Sequence, residues 1–150
     1  MRHRIFIAIN LPDNIKRGLE KFQSSWPELP IRWIKPENLH ITLIFLGYLE
    51  DEDLAKICQI TKEVASKYQP FSINLNKIIY GPPKKMPYSE TKPLAGRPVK
   101  DRYRPPRMVW AEGEKSRDLG NLQSDLEKTI FSTPIKISQE PENRSYAQHI

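Results

Sequence analysis

His40 and Thr42 stand two residues apart in an otherwise apolar run, Leu39-His40-Ile41-Thr42-Leu43-Ile44-Phe45-Leu46, closed by Gly47. An imidazole, with an ordinary pKa of about 6.5, gives or takes a proton near neutral pH. A hydroxyl beside it can hydrogen-bond an anionic oxygen of whatever the imidazole works on. The pair therefore points to general acid-base chemistry on a small oxyanion. A single His-x-Thr is short, and a histidine on a strand is more often structural than catalytic, so the surrounding chain has to supply the rest of the site.

Holding two such side chains together takes a strand. The run from residue 39 to 46 is rich in residues that favour extended chain, and Gly47 is expected to end it. Alternation puts Leu39, Ile41, Leu43 and Phe45 on a core face and His40, Thr42 and Ile44 on the other. Upstream, residues 5–9 read as a first strand. Pro12-Asp13 then opens a helix with the stripe Ile15, Leu19, Phe22 and Trp26, which Pro27 and Pro30 stop. Residues 31–34 form a short extended segment, and Lys35-Pro36-Glu37-Asn38 a turn into the His40 strand.

Downstream, Asp51, Glu52 and Asp53 suit a helix N-terminus, and Leu54, Ile57, Val64 and Tyr68 carry its apolar stripe. Phe71, Ile73 and Leu75 alternate with polar residues, which predicts a half-buried strand running toward Tyr80 and broken at Gly81-Pro82-Pro83. Residues 108–111 predict another strand. A third helix follows, capped by Ser116 or Asp118, with the stripe Leu119, Leu122, Leu126 and Ile130. Ile135-Lys136-Ile137 is expected as a short strand, and Glu140-Pro141-Glu142-Asn143 as a turn leading to His149.

With 150 residues, 38% of them hydrophobic and 28% charged, the chain suits one globular domain with its own core. No apolar run approaches the ~18 residues of a membrane span, and the N-terminus reads as a strand rather than a signal peptide. Cys58 is the only cysteine, which excludes an intrachain disulfide and a CxxC metal site and points to a reducing cytoplasm. Its neighbours Leu54, Ile57, Thr61 and Val64 fall at helical spacing, so it is expected as a small buried residue. His3 is read as solvated or structural. Neither a Walker-type loop nor a GxGxxG is present, so nucleotide-triphosphate and dinucleotide chemistry have no local support.

Of the net charge of +6, all is accounted for by residues 84–107, where eight basic residues meet only Glu90 and Asp101. Any attraction to a polyanion is therefore expected chiefly from this Pro-rich segment, read as a long insert loop: either a solvated loop or an RNA-guiding arm.

The order of elements repeats. A strand near Ile5, a helix and a Pro/Glu-Asn turn lead to His40-Ile41, and a strand near Val109, a helix and a similar turn lead to His149-Ile150. The separations, 35 and 40 residues, are close. A degenerate duplication of this kind would bring two imidazoles together across a pseudo-two-fold axis.

These residues resemble the two-histidine (2H) phosphoesterase superfamily, and within it the bacterial and archaeal RNA 2',3'-cyclic phosphodiesterases, long called 2'-5' RNA ligases. The resemblance rests on residues 4–9, on 32–43 with Phe45-Leu46-Gly47, on Gly81-Pro82-Pro83 and on Val109-Trp110-Ala111. It implies an α+β fold of two pseudo-symmetric, intertwined lobes in a single domain, 1–150. Each lobe is a mainly antiparallel sheet with helices outside, and a central cleft lies between them. The family carries two HxTx motifs. His40 and Thr42 match the first, and His149 matches the second, whose Thr would fall one residue beyond Ile150; the chain is thus expected to be C-terminally truncated, with its second lobe incomplete.

The resemblance further implies a monomeric cytoplasmic hydrolase that needs no metal or cofactor and acts on RNA ends or small cyclic nucleotides. His40 would donate a proton to the leaving 3' oxygen, His149 would act as base, and Thr42 would hold a phosphate oxygen. A catalytically silent RNA-binding or interaction module on the same scaffold is the alternative, because the second motif is incomplete.

Overall fold

The computed structural model describes residues 1–28, 31–81 and 108–139. The basic insert, Pro30, the 140–143 turn and His149 lie outside the described residues. Among those described, the order is β1 (Arg2–Asn10), α1 (Asp13–Ser24), a 3₁₀ turn (Pro36–Asn38), β2 (His40–Glu50), α2 (Asp51–Ala65), β3 (Leu75–Gly81), β4 (Met108–Gly113) and α3 (Arg117–Phe131). β1 pairs with β2 and β3 with β4, both antiparallel, giving an α+β fold of two small sheets and three helices. None of the described helices is long and apolar enough to cross a membrane.

β2 is the longest strand and the centre of the core. Leu43, Ile44, Leu46 and Leu49 pack with Ile57 and Val64 of α2 and with Leu119, Leu122, Leu126 and Ile130 of α3. Ile5, Ile7 and Ile9, alternate residues of β1, join the same layer. The predicted stripe of α3 is buried throughout, and each side chain so enclosed contributes about 1.5–3 kcal/mol of transfer free energy. Ser116 caps this helix by accepting the Leu119 amide at 3.2 Å, which settles the choice between Ser116 and Asp118. Tyr68, in the turn that follows α2, ties that end of the helix to α3: its hydroxyl donates to Asp125 at 2.5 Å.

β2 does not end at Gly47, and its alternation is not regular. Ile5 pairs with Gly47 but Phe6 with Phe45, and Ile7 pairs with Ile44 but Ala8 with Thr42, so β2 carries an extra residue at two points. Each is a β-bulge, and each reverses the inside-outside phase of the strand. Ile44, expected beside His40, is therefore buried, and Phe45, expected in the core, stands 52% exposed on the His40 face.

Gly47 serves the second bulge. Its φ of +75° lies in the left-handed region, and a Cβ placed on it would sit 2.0 Å from Ser138 Oγ. The Ser138 hydroxyl occupies that space, accepting the Tyr48 amide at 2.8 Å.

Three further expectations are corrected. Residues 71–74 are not strand, and β3 begins at Leu75; Phe71 and Ile73 are half-buried against the core without ladder partners. Residues 135–137 form no strand: Ile135 and Ile137 pack into the core without ladder partners, and the Ser138 hydroxyl accepts the Tyr48 amide at the Gly47 bulge. Cys58 is exposed, because Ile57 and Val64 face the core and residue 58 falls about 100° round the helix from Ile57.

Candidate active site

The 3₁₀ turn before β2 aims the first site residue. Pro36, with its φ preset, opens the turn, and the amides of Asn38 and Leu39 close it on Lys35 O and Pro36 O at 2.9 and 3.2 Å. This leaves the Asn38 carbonyl beside the start of β2, 2.6 Å from His40 Nδ1. A carbonyl oxygen only accepts, so Nδ1 carries a hydrogen and donates it. Nε2 is then the nitrogen left for proton traffic, a lone pair in the neutral ring and an N–H in the cation.

Phe6 holds one face of the same ring. The two rings stack with centroids 4.9 Å apart and planes 25° from parallel. Along the sheet, Asn10 is opposite His40, Ala8 opposite Thr42 and Phe6 opposite Phe45. The small Ala8 side chain leaves room for Phe6 to reach over to the imidazole. Phe45 follows at 6.0 Å from Phe6.

His40 and Thr42 line one wall of a cleft of about 360 Å³. Ile78 of β3 with Val109, Trp110 and Ala111 of β4 form another wall, so the cleft lies between the two sheets. Leu19, Phe22 and Gln23 of α1 and residues 31–34 close the side. Gln23 Nε2 donates to Ile34 O at 3.1 Å, fixing that segment to α1. Hence α1, whose stripe is as apolar as predicted, has no fully buried residue: Leu19 and Phe22 serve the cleft wall. A mainly apolar pocket with few polar groups strengthens each hydrogen bond made inside it.

The sequence-predicted residues His40 and Thr42 are thus together, both half-buried on one strand face. His149 falls outside the described residues. His3 lies away from the cleft, with Nε2 2.9 Å from Asp51 Oδ1 at the start of α2. The sequence reading missed Phe6, the Asn38 carbonyl, Trp33 and Trp110. For Phe6 a signal existed: Phe6 alternates with Ile5 and Ile7, so the pattern already put the ring on the face opposite the core. Among the described residues no group of three or more His, Cys, Asp or Glu side chains could hold a metal ion.

An α+β chain whose two antiparallel sheets enclose a cleft, with a histidine and a threonine two residues apart on its central strand, has the build of a two-histidine phosphoesterase. The chain matches the family described as LigT like Phosphoesterase over residues 9–88, and it belongs to that family. It is 27% identical over 143 residues to the RNA 2',3'-cyclic phosphodiesterase of Bacillus subtilis (strain 168), covering 94% of this chain and 67% of that protein. With the RNA 2',3'-cyclic phosphodiesterase of Methanocaldococcus jannaschii it shares 39% identity over 75 residues, 50% of this chain and 41% of the relative. The chain therefore spans about two thirds of the length of the first of these relatives and less than half of the second. The crystal structure of E. coli LigT complexed with 3'-AMP has the same fold, with a TM-score of 0.64 at 20% identity over 99% of this chain and 71% of that one.

Proposed function

We propose that this chain is a phosphoesterase that opens the 2',3'-cyclic phosphate of RNA ends or of small nucleotides to a 2'-phosphate, by paired-histidine acid-base chemistry and without a metal. The observation that carries this reading is His40 on the cleft wall with Nδ1 committed to the Asn38 carbonyl and Thr42 two residues along the same face. Family membership and the names of the relatives support the substrate class.

In the reaction, a water attacks phosphorus in line with the P–O3' bond, and His149 takes its proton. As that bond breaks, His40, protonated at Nε2, gives its proton to the departing 3' oxygen. Thr42 donates its hydroxyl hydrogen to a non-bridging oxygen whose charge grows in the transition state. Phe6 and the Asn38 carbonyl act through His40, as positioning groups that fix the ring plane and the tautomer. With a 5'-hydroxyl attacking in place of water, the same two histidines would join RNA ends through a 2'-5' linkage, His149 taking the hydroxyl proton and His40 protonating the departing 3' oxygen.

The test is turnover of an oligonucleotide ending in a 2',3'-cyclic phosphate, measured in EDTA, with His40→Ala and His149→Ala beside the parent. Hydrolysis to the 2'-phosphate by the parent, lost in both variants while both still bind RNA, is the expected result. Turnover that depends on added divalent metal, or that survives either substitution, would overturn it. Binding without turnover by the parent would favour an RNA-binding module on this scaffold.

A further inference from the structure

Beyond the site, the face of the β1–β2 sheet that carries His40 continues for the length of the strands. On β1 the alternate residues Arg2, Arg4, Phe6, Ala8 and Asn10 share it, the intervening Ile5, Ile7 and Ile9 facing the core. On β2 the two bulges keep His40, Thr42, Phe45 and Tyr48 on this face despite their uneven spacing in sequence. Three rings, Phe6, Phe45 and Tyr48, stand 45%, 52% and 54% exposed. Bulges that turn large aromatic side chains from core to solvent serve something other than packing.

Cations accompany the outermost ring. Arg4 is opposite Tyr48 in the ladder, is exposed, and pairs with no carboxylate among the described residues. The Arg2 guanidinium lies 5.9 Å over the Tyr48 ring, and its Nε is 3.3 Å from Glu50 Oε1. Glu50, which also has the Met1 amine 3.6 Å away, marks the acidic far end of the strip. From Asn10, opposite His40, to Arg4 is six residues, about 20 Å at ~3.3 Å per strand residue. Exposed rings in series, continuous with a phosphate-cleaving site and flanked by arginines, match the chemistry of an unpaired nucleic-acid strand: bases stack on rings of any sequence context, and phosphates meet the guanidinium groups.

We propose that this face is a track for single-stranded RNA leading away from His40, in which Tyr48 with Arg2 and Arg4 forms a subsite for nucleotides upstream of the one that carries the cyclic phosphate. The proposal rests on the phosphoesterase reading above and extends it: the chain prefers an oligonucleotide end to a mononucleotide, and Tyr48 sets that preference.

The experiment compares kcat/KM for a single-stranded RNA hexamer ending in a 2',3'-cyclic phosphate with that for 2',3'-cyclic AMP. Fluorescence anisotropy on a labelled hexamer without the cyclic phosphate runs alongside. The expected result is a preference for the hexamer that falls about tenfold in Tyr48→Ala, mostly through KM, and is retained in Tyr48→Phe. Arg4→Gln weakens hexamer binding and lowers its salt dependence by roughly one phosphate contact. No preference in the parent, or the same preference in Tyr48→Ala, would overturn the track; so would tighter binding of a duplex than of the single strand. Hexamer binding that is lost in Tyr48→Ala, with no turnover of either substrate, would leave the track standing and remove the hydrolase reading. Circular dichroism guards against a folding defect, and the Tyr48 substitutions leave the backbone bond from the Tyr48 amide to Ser138 in place.

Discussion

On one side of β2, Leu43, Ile44, Leu46 and Leu49 are sealed under α2 and α3. On the other, His40 and Thr42 are half-buried at the cleft, and Phe45 and Tyr48 are more than half exposed. The helices divide in the same way. The stripe of α3 is wholly enclosed, whereas that of α1 has no fully buried residue and lends Leu19 and Phe22 to the cleft. Fold stability therefore resides on one side of the central sheet, and the apolar surface on the other side remains available to a ligand. Substitutions on the two sides should fail in different assays.

The sharpest contrast is between His40→Ala and Leu126→Ala. The first should lower turnover of a cyclic phosphate by roughly 10²–10⁴-fold while leaving the denaturant midpoint near that of the parent. The second deletes a side chain that is 1% exposed and should cost about 2–5 kcal/mol in urea unfolding, with normal kinetics in whatever remains folded. Loss of stability in the first or loss of kcat alone in the second would erase the division.

Gly47→Ala should be felt on both sides. The left-handed backbone costs an alanine about 1–2 kcal/mol, and the new Cβ cannot share space with Ser138 Oγ. Adding Ser138→Gly should recover the steric part and not the backbone part, so the double variant should unfold between the single variant and the parent. A single variant as stable as the parent would show that the bulge tolerates a side chain.

A smaller effect is expected for Phe6→Leu, which keeps apolar bulk but removes the ring stacked on His40. A stack of this kind is worth about 0.5–1.5 kcal/mol, so kcat should fall by roughly two- to tenfold with little change in unfolding. An unchanged kcat would deny Phe6 its positioning role.

The smallest expected effect concerns Tyr68. Burial, helped by its hydrogen bond to Asp125, pushes its hydroxyl up from 10.0 to about 12. The folded state thus holds the proton more tightly than the unfolded one, so this contribution is whole below pH 10 and is lost as pH rises through about 12. Tyr68→Phe should flatten the alkaline limb of a stability-pH curve in that window, and an unaltered limb would place the alkaline sensitivity elsewhere.

Much of this was legible in the chain. The stripes of α2 and α3 follow a 3.6-residue period that core packing then uses, and His40 with Thr42 sits on one face because no bulge intervenes between them. From Leu43 onward the alternation misleads, since a bulge adds a residue without any change of composition; Phe45 and Ile44 exchange sides for that reason alone. Gly47 reads as a strand end because the same left-handed freedom serves a turn and a bulge. The Asn38 carbonyl leaves no mark in sequence, since its role depends on where a backbone oxygen points after the 3₁₀ turn. The 135–137 segment has strand composition, but its isoleucines go to core packing rather than to a ladder, and its neighbour Ser138 meets a bulge 90 residues upstream, neither of which composition reveals.

The two bulges make a change of length in β2 matter more at some positions than at others. Losing the residue that a bulge adds, Leu43 or Leu46, would restore regular pairing there and leave the flanking side chains on the faces they now occupy, whereas losing Ile41 would set His40 and Thr42 on opposite faces. Lineages of this chain should therefore vary in length at the bulges more readily than between His40 and Thr42.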